Sequence, residues 1–113
     1  MRKIKVLFFA EGATLAHVVR PFVLAKGLDP DRFEIVFCRP ATYAKFTNTV
    51  DFRLADLHCQ NSAIFSERLK WGRPLYDFPT LQSYATEDIR LIRQFEPDVV
   101  VGDFRLSLSA SAR

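Results

Sequence analysis

Ile4-Lys5-Val6-Leu7-Phe8-Phe9-Ala10, closing on Glu11-Gly12, decides how the rest of the chain is read. Its apolar residues follow one another without the polar alternation of a half-wetted strand. Central strands of a parallel sheet, covered on both faces, read this way. Phe33-Glu34-Ile35-Val36-Phe37-Cys38, stopped by Arg39-Pro40, is a second such run. Asp98-Val99-Val100-Val101-Gly102-Asp103 is β-branched and closes in Gly-Asp, and Val50 to Leu54 suits a short strand between these two.

Helical spacing fills the intervals. Val18, Phe22, Ala25 and Leu28 recur every three or four residues. Pro21 is cheap only in a first turn, so the regular helix is expected to start near Arg20, leaving His17 in the turn before it. Ala41 to Thr47 reads as a short helix carrying Tyr43 and Phe46. Thr80 to Glu96 carries Leu81, Tyr84, Ala85, Asp88, Ile92 and Phe95 along one stripe, spoiled only at Asp88, before Pro97 ends it. Residues 55–79 are the least regular part, with Phe65, Trp71, Tyr76 and Phe78 among polar neighbours; such a stretch is a functional loop or the cover of a sheet edge. Phe104 to Arg113 reads as the start of a helix. Strand and helix alternating in this rhythm predict an α/β fold: a Rossmann-like parallel sheet with flanking helices.

Composition narrows the class. The chain has 113 residues, 49% hydrophobic and 26% charged, as one globular domain would, and a domain of that size buries roughly two-thirds of its unfolded surface. The longest apolar run, Val6 to Ala10, is far shorter than the ~20 residues of a membrane span. The net charge of +3 is scattered rather than blocked, so no nucleic-acid partner is expected. Lys5 and Glu11 bracket the first apolar run and no signal-peptide cleavage pattern follows, which makes the cytoplasm the expected location. Cys38 and Cys59 have no metal-ligand spacing to each other or to a histidine and read as buried or half-buried thiols.

Open parallel sheets bind ligands at the carboxyl ends of their strands, beside the point where strand order reverses. In a doubly wound order that point lies between the first strand, which runs on to His17, and the fourth, which ends in Asp103. An imidazole held by a carboxylate can act as a general base. Residue pattern alone favours the plainer reading, a loop histidine and a helix-capping aspartate. The first loop has a single glycine, Gly12, and so neither a dinucleotide fingerprint nor a P-loop lysine. His17 and His58 lack a carboxylate set at ligand spacing, so no metal and no cofactor is expected. Ser107, Ser109 and Ser111 read as helix-surface hydroxyls, and Arg20 and Arg39 as solvated charges that could meet phosphate.

The segment from Lys5 to Leu28, K-V-L-F-F-A-E-G-A-T-L-A-H-V-V-R-P-F-V-L-A-K-G-L, resembles the opening strand, loop and helix of nucleotide-sugar glycosyltransferases of the GT-B fold. The UDP-glucuronosyl, UDP-glucosyl and macrolide glycosyltransferases are the nearest group. L-D-P-D-R-F-E-I-V-F-C resembles that family's second strand, and P-D-V-V-V-G-D-F-R-L-S-L-S-A-S-A-R the strand whose terminal Asp leads into a helix. By position, the resemblance implies His17 as catalytic base and Asp103 as the acid that orients it. Ala16 stands where the family usually has glycine.

The resemblance also implies that residues 1–113 are a partial, acceptor-side N-terminal domain, with the donor-binding C-terminal domain absent. In the complete enzyme a hexosyl group would pass from a nucleotide sugar to an acceptor hydroxyl with inversion, and the isolated chain would be inactive. Phe65, Trp71, Tyr76 and Phe78 would line an apolar wall for a small-molecule or lipid acceptor. Peripheral membrane association and self-association through uncovered apolar surface are also admitted. The alternative is a non-catalytic α/β binding or scaffold module that recruits a separate donor-binding subunit.

Overall fold

A computed structural model describes residues 2–12, 16–43, 52–57, 59, 62–74, 76–103, 105, 107, 108 and 112, with only the backbone described for 62, 63, 65 and 103. Strands β1 (Ile4–Ala10), β2 (Phe33–Arg39), β3 (Arg53–Asp56) and β4 (Val99–Asp103) form one sheet in the order β3-β2-β1-β4. Every pairing is parallel, and Phe8 of β1 stands between Phe37 of β2 and Val101 of β4. The α/β expectation and the reversal beside β1 both hold.

Helices cover the two faces. Helix α1 (Ala16–Gly27) lays Val18, Phe22 and Ala25 on Val6, Phe8, Ala10, Ile35 and Phe37. Phe22 meets Phe37 edge-on at 5.4 Å. On the other face Leu7, Phe9, Val36 and Cys38 pack under Leu91 and Phe95 of α3 (Phe78–Phe95). That is why β1 shows no alternation: both its faces are core. Each such large apolar side chain contributes about 1.5–3 kcal/mol by leaving water.

Several local expectations are corrected. Helix α1 begins at Ala16 rather than near Arg20, so His17 is its second residue, and Pro21 lies inside the helix. The tolerance is local: the amide that Pro21 lacks would serve the His17 carbonyl, close to the helix start. The start of the expected short helix is a 3₁₀ turn, Ala41–Tyr43, and residues 44–51, with Phe46 and the rest of that expected helix, lie outside the described residues. The third strand runs Arg53–Asp56, later than expected.

The irregular stretch contains a nine-residue helix, α2 (Ser62–Lys70). Its end is set by Gly72 at φ 66°, with the Gly72 amide on the Leu69 carbonyl at 3.3 Å and the Arg73 amide on the Arg68 carbonyl at 2.9 Å, a left-handed stop suited to glycine. Asp77 then caps α3 by accepting the Thr80 amide at 2.8 Å, with Pro79 in the first turn where no amide is needed. The Arg68 guanidinium ties the two helices by donating to the Pro74 carbonyl and to Asp77. At its far end α3 closes with Glu96 in the left-handed region at φ 48°.

Candidate functional site at the carboxyl rim of the sheet

The carboxyl ends of all four strands share one rim. There β1 runs into Glu11-Gly12, β2 into Pro40, β3 into Leu57, and β4 towards Arg105. The turn leaving β1 is packed tightly: a Cβ on Gly12 would collide with the Pro40 ring, and the Tyr43 hydroxyl donates to the Gly12 carbonyl at 3.4 Å. Pro40 is itself held in place. Arg39 before it is buried, and its guanidinium donates to Asp56 at 2.7 Å and to the Ala55 carbonyl at 3.4 Å. The expected solvated charge at Arg39 is thus a buried tie between β2 and β3, whereas Arg20 is exposed.

His17 is half-buried in the first turn of α1. Asp103 occupies the last register position of β4, opposite Ala10 at the end of β1. The backbone therefore brings the exits of the two strands to one rim, and position 103 falls in the pleat with Val101, which packs with the α1-side core. The Asp103 carboxylate and the Phe65 ring lie outside the described side chains, as does His58.

Of the other expected acceptor contacts, Trp71 is 63% and Phe78 76% exposed. Tyr76 is buried, its ring 5.5 Å from that of Tyr84. A cleft of about 430 Å³ opens on the rim between Pro40, Thr42, Asp56, Cys59, Glu87 and Arg90. A cavity of about 620 Å³ at the opposite edge, near Lys5, Leu28, Phe33 and Phe95, lies away from the strand exits.

Beneath the rim, on the α3 side, is a polar cluster that the sequence reading missed. Arg105, two positions past β4, has a fully buried side chain. Its Nε donates to Asp88 Oδ1 at 3.1 Å, and Nη2 lies 3.1 Å from the same oxygen. Nη1 is 3.7 Å from Glu11 Oε2, Nη2 is 3.6 Å from Glu87, and the guanidinium carbon sits 3.7 Å from the Tyr84 ring centroid. Ser107 Oγ donates to Asp88 Oδ2 at 2.5 Å, so this serine is buried rather than a surface hydroxyl.

Glu11 and Asp88 are both fully buried. Asp88 is the residue that spoils the apolar stripe of α3, and that interruption was the sequence signal for a buried charge awaiting a cation. Glu11 follows the pleat of Leu7 and Phe9 onto the same face. Burial, and then the Glu11 charge, push the Tyr76 hydroxyl and the Cys59 thiol well above their ordinary ranges. Burial likewise raises the Cys38 thiol to about 12. Among the described residues no group of three or more His, Cys, Asp or Glu could hold a metal ion, and no helix is long and apolar enough to cross a membrane.

No family model matches the chain, and no solved structure matches it. Curated sequences do. The chain is 45% identical over 112 residues to the "PGL/p-HBAD biosynthesis rhamnosyltransferase" of Mycobacterium bovis (strain BCG / Pasteur 1173P2), covering 99% of this chain and 25% of that protein. It is 44% identical over 112 residues to a "PGL/p-HBAD biosynthesis glycosyltransferase" of Mycobacterium tuberculosis (strain ATCC 25177 / H37Ra), covering 99% of this chain and 26% of that protein. At the same identity it matches an "Inactive PGL/p-HBAD biosynthesis glycosyltransferase" of the first organism, covering 99% of this chain and 31% of that protein. The chain thus spans between a quarter and a third of the length of these relatives.

Proposed function

We propose that this chain is the acceptor-side, N-terminal part of an inverting nucleotide-sugar glycosyltransferase of the GT-B type, acting in PGL/p-HBAD biosynthesis on the cytoplasmic side. The observation that carries this reading is the 45% identity, over 99% of the chain, to a protein named a rhamnosyltransferase. The parallel sheet supports it, because β1 and β4 leave adjacent at the rim where such folds bind ligands.

In this mechanism His17 takes the proton of an acceptor hydroxyl through one ring nitrogen. The freed oxygen attacks the anomeric carbon of a rhamnosyl or related hexosyl nucleotide as the carbon–diphosphate oxygen bond breaks on the opposite face. Configuration inverts and the nucleoside diphosphate departs. Asp103 orients the imidazole and stabilises its charged form. Trp71 and Phe78, both exposed, would supply apolar contact to a lipid or aromatic acceptor, together with Phe65 on the neighbouring helix and the buried Tyr76. The donor is held by a further domain of the longer protein.

A second reading, a non-catalytic module recruiting a donor-binding partner, is favoured by one observation, the relative named inactive. Transfer assays on the full-length protein separate the two. With His17 as base, His17→Ala lowers kcat by roughly 10²–10⁴ with little change in either KM. Asp103→Asn also slows turnover strongly. Unchanged turnover in His17→Ala removes the base assignment, and a folded full-length protein that transfers no sugar favours the module.

A further inference from the structure

We infer that Arg105 is a positioning residue, one that fixes the exits of β1 and β4 relative to each other; its link to catalysis rests on the reading of His17 and Asp103 above. Arg105 lies two positions past Asp103, and Glu11 lies one position past β1 in the segment that leads to His17. The 3.7 Å approach of Arg105 Nη1 to Glu11 Oε2 therefore bridges the two adjacent strand exits directly. Asp88 holds the same guanidinium from α3, and Ser107, bonded to the other Asp88 oxygen, pins the chain two residues further on.

Stability alone gives this cluster little reason to exist. One guanidinium faces three carboxylates, those of Glu11, Glu87 and Asp88, within 3.7 Å. Desolvating so many charges costs at least as much as their attraction returns, and an apolar cluster of equal volume would stabilise the fold as well or better. What apolar packing lacks is direction. A planar guanidinium, stacked 3.7 Å over Tyr84 and hydrogen-bonded through Nε to Asp88, fixes distance and angle together. A general base needs that kind of constraint, since a misplacement of about 1 Å costs roughly a hundredfold in rate. With its side chain fully buried, Arg105 touches no substrate and acts only through the groups it holds.

The test uses the full-length protein and the variants Arg105→Lys, which keeps the charge but loses the planar fork, and Glu11→Gln, which keeps shape but loses the charge. Amide hydrogen exchange is read first, because it does not depend on activity. Protection at Gly12 and Asp103 is expected to fall at least about tenfold in both variants while Phe8, in the sheet centre, keeps its own. Unchanged protection at the two exits overturns the inference, whatever His17 does. Sugar transfer is read second. Arg105→Lys is expected to lower kcat by up to roughly a hundredfold with both KM values kept, and to cost little more in a His17→Ala background. A loss that persists undiminished in that background shows Arg105 acting generally on the fold and overturns the positioning role. Reduced protection at the exits in Arg105→Lys and Glu11→Gln, together with normal turnover in His17→Ala, would instead overturn only the base assignment. Should Arg105→Lys fail to fold, Glu11→Gln carries both readings.

Discussion

Asp88 and Arg105 are paired at 3.1 Å with neither side chain exposed to solvent. The pair joins the middle of α3 to the chain leaving β4, and it turns the one charged position on the buried stripe of Tyr84, Leu91 and Phe95 into an anchor. The long helix is thus held to the sheet by apolar contact at its carboxyl end and by charge further towards its start.

Removing one member of that pair is expected to be far worse than replacing both. Asp88→Ala removes the acceptor of both the Arg105 Nε and the Ser107 hydroxyl, two buried donors, and should destabilise the protein by about 3–5 kcal/mol. Asp88→Leu combined with Arg105→Met keeps the volume and removes both partners, leaving Glu11 as the one buried carboxylate that loses its cation, so it should cost less than the sum of Asp88→Leu and Arg105→Met made singly. Urea unfolding followed by circular dichroism measures both. Additive losses would show that the two side chains do not act as a pair.

The same residues mark how far the sequence could be read. Strands β1 and β2 were legible because each is covered on both faces and runs apolar without alternation, and β4, at the sheet edge, because Val100 and Val101 still pack against opposite cores in an unbroken β-branched run. The reversal beside β1 followed from that pattern and the doubly wound order. Asp88 was visible as a flaw in a helical stripe, but its cation, Arg105, lies 17 positions away in a segment whose pattern suggested a helix surface. Nothing local marks an arginine as buried; the burial is decided by tertiary proximity to Asp88 and Glu11. Start and stop signals also misled where tertiary packing outweighed them: Pro21 is accommodated within α1, and α2 forms in a stretch of weak periodicity. His17 and Asp103 were placed on one rim by topology, a relationship their spacing does not encode.

The buried thiols make the protein sensitive to alkaline conditions. Burial raises Cys38 to about 12, and burial with the Glu11 charge raises Cys59 further. In the unfolded chain a thiol releases its proton near ~8.5, while the folded protein still holds it. The unfolded state therefore binds fewer protons above that pH, and stability must fall as pH rises from about 8.5 towards the folded values. Urea midpoints are expected to be flat below pH 8 with respect to these groups and to decline above about 8.5. Cys38, fully buried in the sheet, should also resist maleimide at pH 8 until denaturant is added. Rapid native labelling of Cys38 would contradict its enclosed, protonated state.

Two glycines on the rim separate rigid from yielding neighbours. Neither Gly12 nor Gly102 has positive φ, so backbone freedom is not what either supplies. A Cβ on Gly12 would strike the Pro40 ring and press on Tyr43 at 3.2 Å. The ring cannot rotate away, and Arg39 before it is bonded to Asp56, so the β1–α1 turn itself must move. Gly12→Ala should therefore destabilise by about 1–3 kcal/mol, the usual cost of overfilling a packed site, and displace the turn that leads to His17. A Cβ on Gly102 would meet the Leu108 Cδ1 atom, the tip of a side chain that can change rotamer, with Arg105 Cβ at an ordinary 3.4 Å. Gly102→Ala is expected to cost less than Gly12→Ala, helped by the smaller conformational entropy that alanine gives the unfolded chain. Chemical denaturation of the two variants gives the order, and transfer assays on the full-length protein should show the larger loss of kcat in Gly12→Ala. The reverse order in both measurements would mean that Pro40 yields and that the turn before His17 is not held by this contact.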